Sequence, residues 1–155
     1  MKTILVAIDG SPRSELVVDV AVATALKLGG KVRLLHVVPV PPELPLRAWG
    51  MWPERSSEQF LEMGRRIVAS FAKAVPPSML AGTHVEIGIP WRSVCNAATE
   101  HDVEMIVIGA HGYGLVDRVL GTTAAKIVNH AERPVLVVRP RKTTSPERIH
   151  QEELS

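Results

Sequence analysis

The sequence predicts an α/β fold: a doubly wound, five-stranded parallel sheet with helices on both faces. Short, nearly continuous apolar runs alternate with stretches of helical spacing, and each run but the last stops at glycine, proline or an acidic residue. Hydrophobic residues make up 46% and charged residues 22% of 155, enough for one core and too few residues for two. One domain over 1–140 is expected, with a proline-rich loop at 39–55 and a polar tail at 141–155.

Thr3 to Ile8 is aliphatic and β-branched and runs into Asp9-Gly10-Ser11-Pro12, so it reads as a buried strand and a turn. Ser11 is expected to cap a helix with Pro12 at its first position. That helix would turn Leu16, Val17, Val20, Ala21, Ala23 and Thr24 inward and stop at Gly29-Gly30. Val32 to Val38 is a second strand. Pro39 to Pro53 holds five prolines and two tryptophans and reads as a long loop. Ser56 or Ser57 should open a second helix carrying Phe60, Met63, Ile67, Phe71 and Ala74 on its core face, ended by Pro76-Pro77.

His84 to Ile87 is a short third strand, and Gly88-Ile89-Pro90 turns into a helix with Trp91, Val94, Cys95 and Ala98 inward. Met105 to Ile108 is a fourth strand, Thr122 to Ala131 a helix and Val135 to Val138 a last strand. Pro140 to Ser155 shows little periodicity and is expected to be a tail or an arm that orders against a partner.

Composition narrows the function classes. Lys and Arg outnumber Asp and Glu by only 18 to 16 and are scattered, so a nucleic-acid partner is not expected. One cysteine, Cys95, excludes an internal disulfide framework and fits a reducing, cytoplasmic setting. Asp9 interrupts the amino-terminal apolar run before a signal-peptide core of about 7–15 residues is reached. Leu16 to Leu28 is broken by Asp19 and falls short of the roughly 18 apolar residues of a membrane span.

Ligands of such sheets bind outside the carboxyl ends of the strands, where the strand order reverses. The richest signal there is Gly109, Gly112, Gly114 and Gly121, followed by Thr122 and Thr123 at a helix start. Glycines let backbone N–H groups approach an anion, and a helix amino end attracts one, so the pattern suggests a phosphate site. A tight turn and a simple helix cap would use the same residues. The loop lacks the lysine of a Walker motif, and Asp117 breaks the dinucleotide glycine pattern.

Ile4-Leu5-Val6-Ala7-Ile8-Asp9-Gly10-Ser11, Leu34-Leu35-His36-Val37, Gly88-Ile89-Pro90, Ile106-Val107-Ile108-Gly109-Ala110-His111-Gly112 and Arg133-Pro134-Val135-Leu136-Val137-Val138-Arg139 follow one another in the chain. In that order they resemble the universal stress protein family over about residues 2–140, which implies a Rossmann-like fold of the adenine nucleotide α-hydrolase type. Its ATP-binding subclass carries G-x2-G-x9-G-[ST]; here Gly109-x2-Gly112 and Gly121-Thr122 match, with eight residues instead of nine between the last two glycines. The resemblance implies that Ala7, Asp9 and Val37 line the adenine and ribose pocket. It implies further that Gly109, His111, Gly112, Gly121, Thr122 and Thr123 hold ribose and phosphates. ATP is the cofactor implied, with Asp9 either accepting from base or ribose or helping to hold Mg²⁺ through water; Asp9 stabilising the first helix is the competing reading.

His36 reads as a buried, hydrogen-bonded strand residue and Cys95 as a core thiol. The histidines show no paired ligand spacing, so no metal site is expected. Trp49, Met51 and Trp52 either cover the pocket, meet another subunit or simply pack within their loop. No paired carboxylates or Ser/His/Asp elbow accompany the glycine segment, so the expectation is a nucleotide-binding regulatory module with little or no turnover. The alternative is a non-ATP-binding, dimeric interaction scaffold. A homodimer through edge strand 134–138 is expected in either case, because an apolar edge needs covering and the resemblance implies pairing there.

Overall fold

The computed structural model describes residues 1–40, 54–110 and 119–141, with backbone alone for 54–56. The elements are β1 (Thr3–Ile8), α1 (Ser14–Leu28), β2 (Lys31–Pro39), α2 (Glu54–Ala72), β3 (Leu80–Gly88), α3 (Pro90–Glu100), β4 (Met105–Gly109), α4 (Thr122–His130) and β5 (Val135–Val138). The strands form one five-stranded sheet in the order β3-β2-β1-β4-β5. Every pairing is parallel, Ile4 opposite Val32 on one side and Met105 on the other.

Side-chain alternation along the strands divides the core in two. Ile4, Val6, Ile8, Val32 and Leu34 pack beneath α1 and α2 with Val17, Val18, Ala21 and Val68. Leu5, Leu35, Ile106 and Ile108 pack beneath α3 and α4 with Val94, Ala98, Ala124 and Ile127. The apolar runs are continuous because both faces are covered.

Five details depart from expectation. Helix α1 begins at Ser14 behind Arg13, without a side-chain cap, so Ser11 and Pro12 belong to the preceding turn. The Ser11 N–H is taken by Asp9 Oδ1 at 2.9 Å, which folds the chain into an Asx turn before the helix can start. The buried face of α1 is Ser14, Val17, Val18, Ala21 and Ala25, while Leu16 and Ala23 are exposed; ten of the 15 residues of this helix are apolar and they fall on every side, so periodicity left its phase open. On α2, Phe60 and Met63 are exposed and Gly64 and Val68 are buried instead. Trp91 and Cys95 are only half-buried, with Ala97 taking the core position beside Val94, and β3 is longer than expected.

Gly64 explains how α2 sits so close. A Cβ built there would lie 2.5 Å from Val85 Cγ1 and 3.2 Å from Val38 Cγ2, so the helix backbone rests directly on the side chains of β2 and β3. Gly64→Ala should therefore destabilise the fold by about 1–3 kcal/mol through overpacking, despite alanine's better helix propensity. Urea unfolding followed by circular dichroism checks this; an unchanged or higher midpoint contradicts the close packing.

Candidate functional site

The sheet order reverses between β1 and β4, and a cavity of about 370 Å³ opens at their carboxyl ends. Ala7 and Asp9 border it from β1, Val37 from β2, Gly109 from β4, and Gly121, Thr122 and Thr123 from the start of α4. All seven described candidates thus meet at one cavity. His111 and Gly112, like the tryptophan-bearing loop and the tail beyond Arg141, lie outside the described residues.

The turn after β1 is built by Asp9. Its Oδ1 accepts from the Ser11 N–H and the Ser14 hydroxyl, each at 2.9 Å, which ties the carboxylate to the amino end of α1. Gly10 makes the turn possible at φ 81°, with Ile67 and His36 beneath it. His36 is buried, and its Nδ1 lies 2.8 Å from the Ile8 carbonyl, so that nitrogen carries the proton and clips β2 to the end of β1. The helix-stabilising reading of Asp9 is therefore realised, and the residue also borders the cavity.

Helix α4 starts differently. Its N-cap is Gly121, no side chain caps it, and its first turn holds no acidic residue. The first intrahelical bond runs from Ala125 N–H to the Gly121 carbonyl at 2.8 Å, which leaves the amides of Thr122, Thr123 and Ala124 without helical partners. The base of this helix is pinned: Gly121 N–H donates to the Ala110 carbonyl at 2.8 Å, and Ala110 N–H to the Val138 carbonyl at 3.0 Å. An uncapped helix start beside a cavity can accept an anion.

The walls also contain residues that sequence reasoning did not single out, namely Arg13, Ser14, Pro39, Pro90 and Val94. Pro39 and Pro90 stand next to strand ends and so carried a signal, whereas Arg13 and Val94 reach the site through packing. Among the described residues no group of three or more His, Cys, Asp and Glu is placed to hold a metal ion, and no helix is long and apolar enough to cross a membrane. Cys95 is half-buried outside the cavity, and burial pushes its thiol pKa up.

Comparison with known proteins places these features in context. Residues 1–139 match the universal stress protein family. A universal stress protein of Methanocaldococcus jannaschii is 30% identical over 144 residues, covering 91% of this chain and 84% of its own. A universal stress protein solved in complex with cAMP superposes with a TM-score of 0.66 at 20% identity, covering 90% of this chain and 98% of that one. The Archaeoglobus fulgidus universal stress protein solved in complex with dAMP gives 0.56 at 21% identity, covering 90% and 98%.

Two outcomes follow. Asp9→Ala removes both hydrogen bonds at the start of α1 and should cost about 1–2 kcal/mol in ligand-free protein, measured by chemical denaturation; a loss below about 0.3 kcal/mol would mean the ties are not stabilising. Because the Cys95 thiol is held neutral, its alkylation by iodoacetamide at pH 8 should be slower than that of free cysteine and should climb with pH above that of the free thiol. Equal rates at pH 8 would contradict the burial.

Proposed function

The chain belongs to the universal stress protein family, and on that footing we propose that its cavity binds an adenine nucleotide, with ATP as the leading ligand. The observation that carries this reading is the contrast between two helix starts on one cavity. The amino end of α1 is already answered by Asp9, while that of α4 presents uncapped amides beside Thr122 and Thr123. A phosphate belongs at the second. Ala7, Leu35, Val37 and Val94 supply apolar wall for the base, and Asp9 stands where base or ribose can donate to it.

His111 and Gly112 belong to the same proposed set by sequence. Asp9 is the one carboxylate among the described residues bordering the cavity, and its Oδ1 is already engaged twice. Mg²⁺ would accordingly be held by the nucleotide's own phosphates and by water, with Asp9 beyond. Binding without appreciable turnover is part of the reading: the ionisable groups bordering the cavity among the described residues are Asp9, Arg13 and His36, and the Nδ1 proton of His36 is committed to Ile8. Nucleotide occupancy then serves regulation in a cytoplasmic setting.

The proposed assembly is a homodimer through residues 134–138. Strand β5 is an edge of four residues, paired on one side only by β4, with Val135, Leu136 and Val137 half-buried.

Titration with ATP and Mg²⁺ tests the ligand. At free ATP about 100-fold above Kd, linkage should add about 2.7 kcal/mol, or roughly 5–10 °C in Tm for a chain of this size. Thr123→Glu should weaken ATP at least about tenfold while leaving the ligand-free protein equally or slightly more stable, since a carboxylate at a helix amino end is favourable. Absence of both heat and Tm shift with ATP and AMP would sink the reading and leave the dimeric scaffold. Light scattering at micromolar concentration tests the dimer, and a monomer mass refutes it.

A further inference from the structure

We propose that the outer edge of β3 pairs antiparallel with the same edge of a second copy of this chain, about a two-fold axis at Val85. Strand β3 bonds β2 on one side, and among the described residues nothing pairs with its other side. Opposite Val32 and Arg33 the register steps from Leu80 to Gly82, so Ala81 is bulged and the regular edge is 82–88. That open ladder holds neither proline nor lysine, the residues that commonly blunt an edge, and so offers a template for another strand. Gly82 lies against Arg33 and Gly88 against Ser93, whereas Val85 meets Gly64 of α2. Even-numbered residues therefore share the α3 side of the sheet and odd-numbered ones the α2 side.

Side-chain chemistry selects the register. Only every second residue of an edge strand turns its N–H and C=O outward, so a two-fold axis must fall on a residue and not between two. With the axis at Val85, His84 stands opposite Glu86 of the second copy and Glu86 opposite its His84, while Thr83 meets Ile87 and Val85 meets Val85. An axis at His84 would set that residue against itself and Glu86 against glycine, and an axis at Glu86 would oppose two carboxylates. His84 Nε2 and Glu86 Oε1 already lie 3.8 Å apart within the chain, with 50% and 37% of their side chains exposed, so pairing brings each carboxylate a second imidazole. The other face fits as well. Gly64 rests α2 over Val38 of β2 and Val85 of β3, so the second copy's α2 would lie two strand spacings away. That is roughly 10 Å, the distance at which helices pack. The contact is separate from the one at 134–138 on the opposite edge, and it stands whether or not the cavity takes a nucleotide.

The test is disulfide trapping in the whole chain carrying Cys95→Ser, with His84→Cys and Glu86→Cys proteins mixed in equal amounts under mild oxidation. Opposed Cβ atoms of an antiparallel pair lie about 4.5–5.5 Å apart, close enough for a disulfide to form. The mixed 84–86 product, identified by mass, should exceed each of the 84–84 and 86–86 products by at least about fivefold, where random collision gives about twofold. Sedimentation supplies a second reading that needs no cysteine. His84→Glu, which opposes carboxylates across the axis, should weaken the β3 association about tenfold, whether it joins monomers or dimers formed at 134–138. Adding Glu86→Lys restores opposite charges and should return it to within about threefold of the original. A statistical disulfide mixture, an excess of 84–84 or 86–86, or an association indifferent to His84→Glu overturns the proposal.

Discussion

Ile4, Leu5 and Val6 are hydrogen-bonded in parallel on both sides, to β2 and to β4, and have no solvent exposure. This constraint sets everything built above them. A parallel pair cannot be closed by a hairpin, so each strand must hand over to a helix that returns across a face. With all strands aligned, their carboxyl ends open on one rim, and because β1 is flanked by β2 and β4 the chain leaves its neighbourhood in two directions. The gap is a consequence of topology, present before any side chain is chosen to fill it.

What fills it is decided by unequal treatment of two helix starts. Helix amino ends leave several amides without partners, and each must be satisfied by side chain, water or ligand. At α1 the carboxylate of Asp9 turns back on the chain and serves the Ser11 amide and the Ser14 hydroxyl. At α4 a glycine stands where a capping residue would, and the two following threonines are exposed. A fold could satisfy α4 by one substitution, serine, aspartate or asparagine for Gly121, at a gain of roughly a few tenths of a kcal/mol. Leaving it open beside a cavity is a local cost that makes sense where an anion completes the cap.

The strands were legible from residue order alone because burial on both faces writes them as unbroken apolar runs, and the topological rule then pointed to the segment that opens at Gly109, while Ala7, Asp9 and Val37 came from the family resemblance. Helix faces were legible only in part. In α1 apolar residues fall on every side, so the inward set could not be told from the outward one, and Leu16 was assigned to the core although it lies outside it. In α2 the decisive residue is Gly64, whose value is the absence of a side chain, a property hydrophobic counting misses. Arg13 went unnoticed for another reason: the Asx turn delays the helix to Ser14 and leaves Arg13 at its N-cap on the cavity wall, whereas a cap assigned to Ser11 would have set it two residues further into the helix.

The site's geometry is also held from behind. Gly10 sits at φ 81°, a conformation that side-chain-bearing residues rarely adopt, and Ile67 of α2 lies 3.2 Å from where a Cβ would be. His36 lies under the same glycine and bonds the Ile8 carbonyl one peptide before Asp9. The same ring lies 3.5 Å from where a Cβ on Gly64 would be, so one histidine touches the turn, the strand end and the second helix. Aiming Asp9 at the cavity therefore depends on α2 seating fully on the sheet, which in turn depends on Gly64 having no side chain. Gly64, on a helix none of whose described residues borders the cavity, thereby shares in the geometry of a site whose ligand it need never touch.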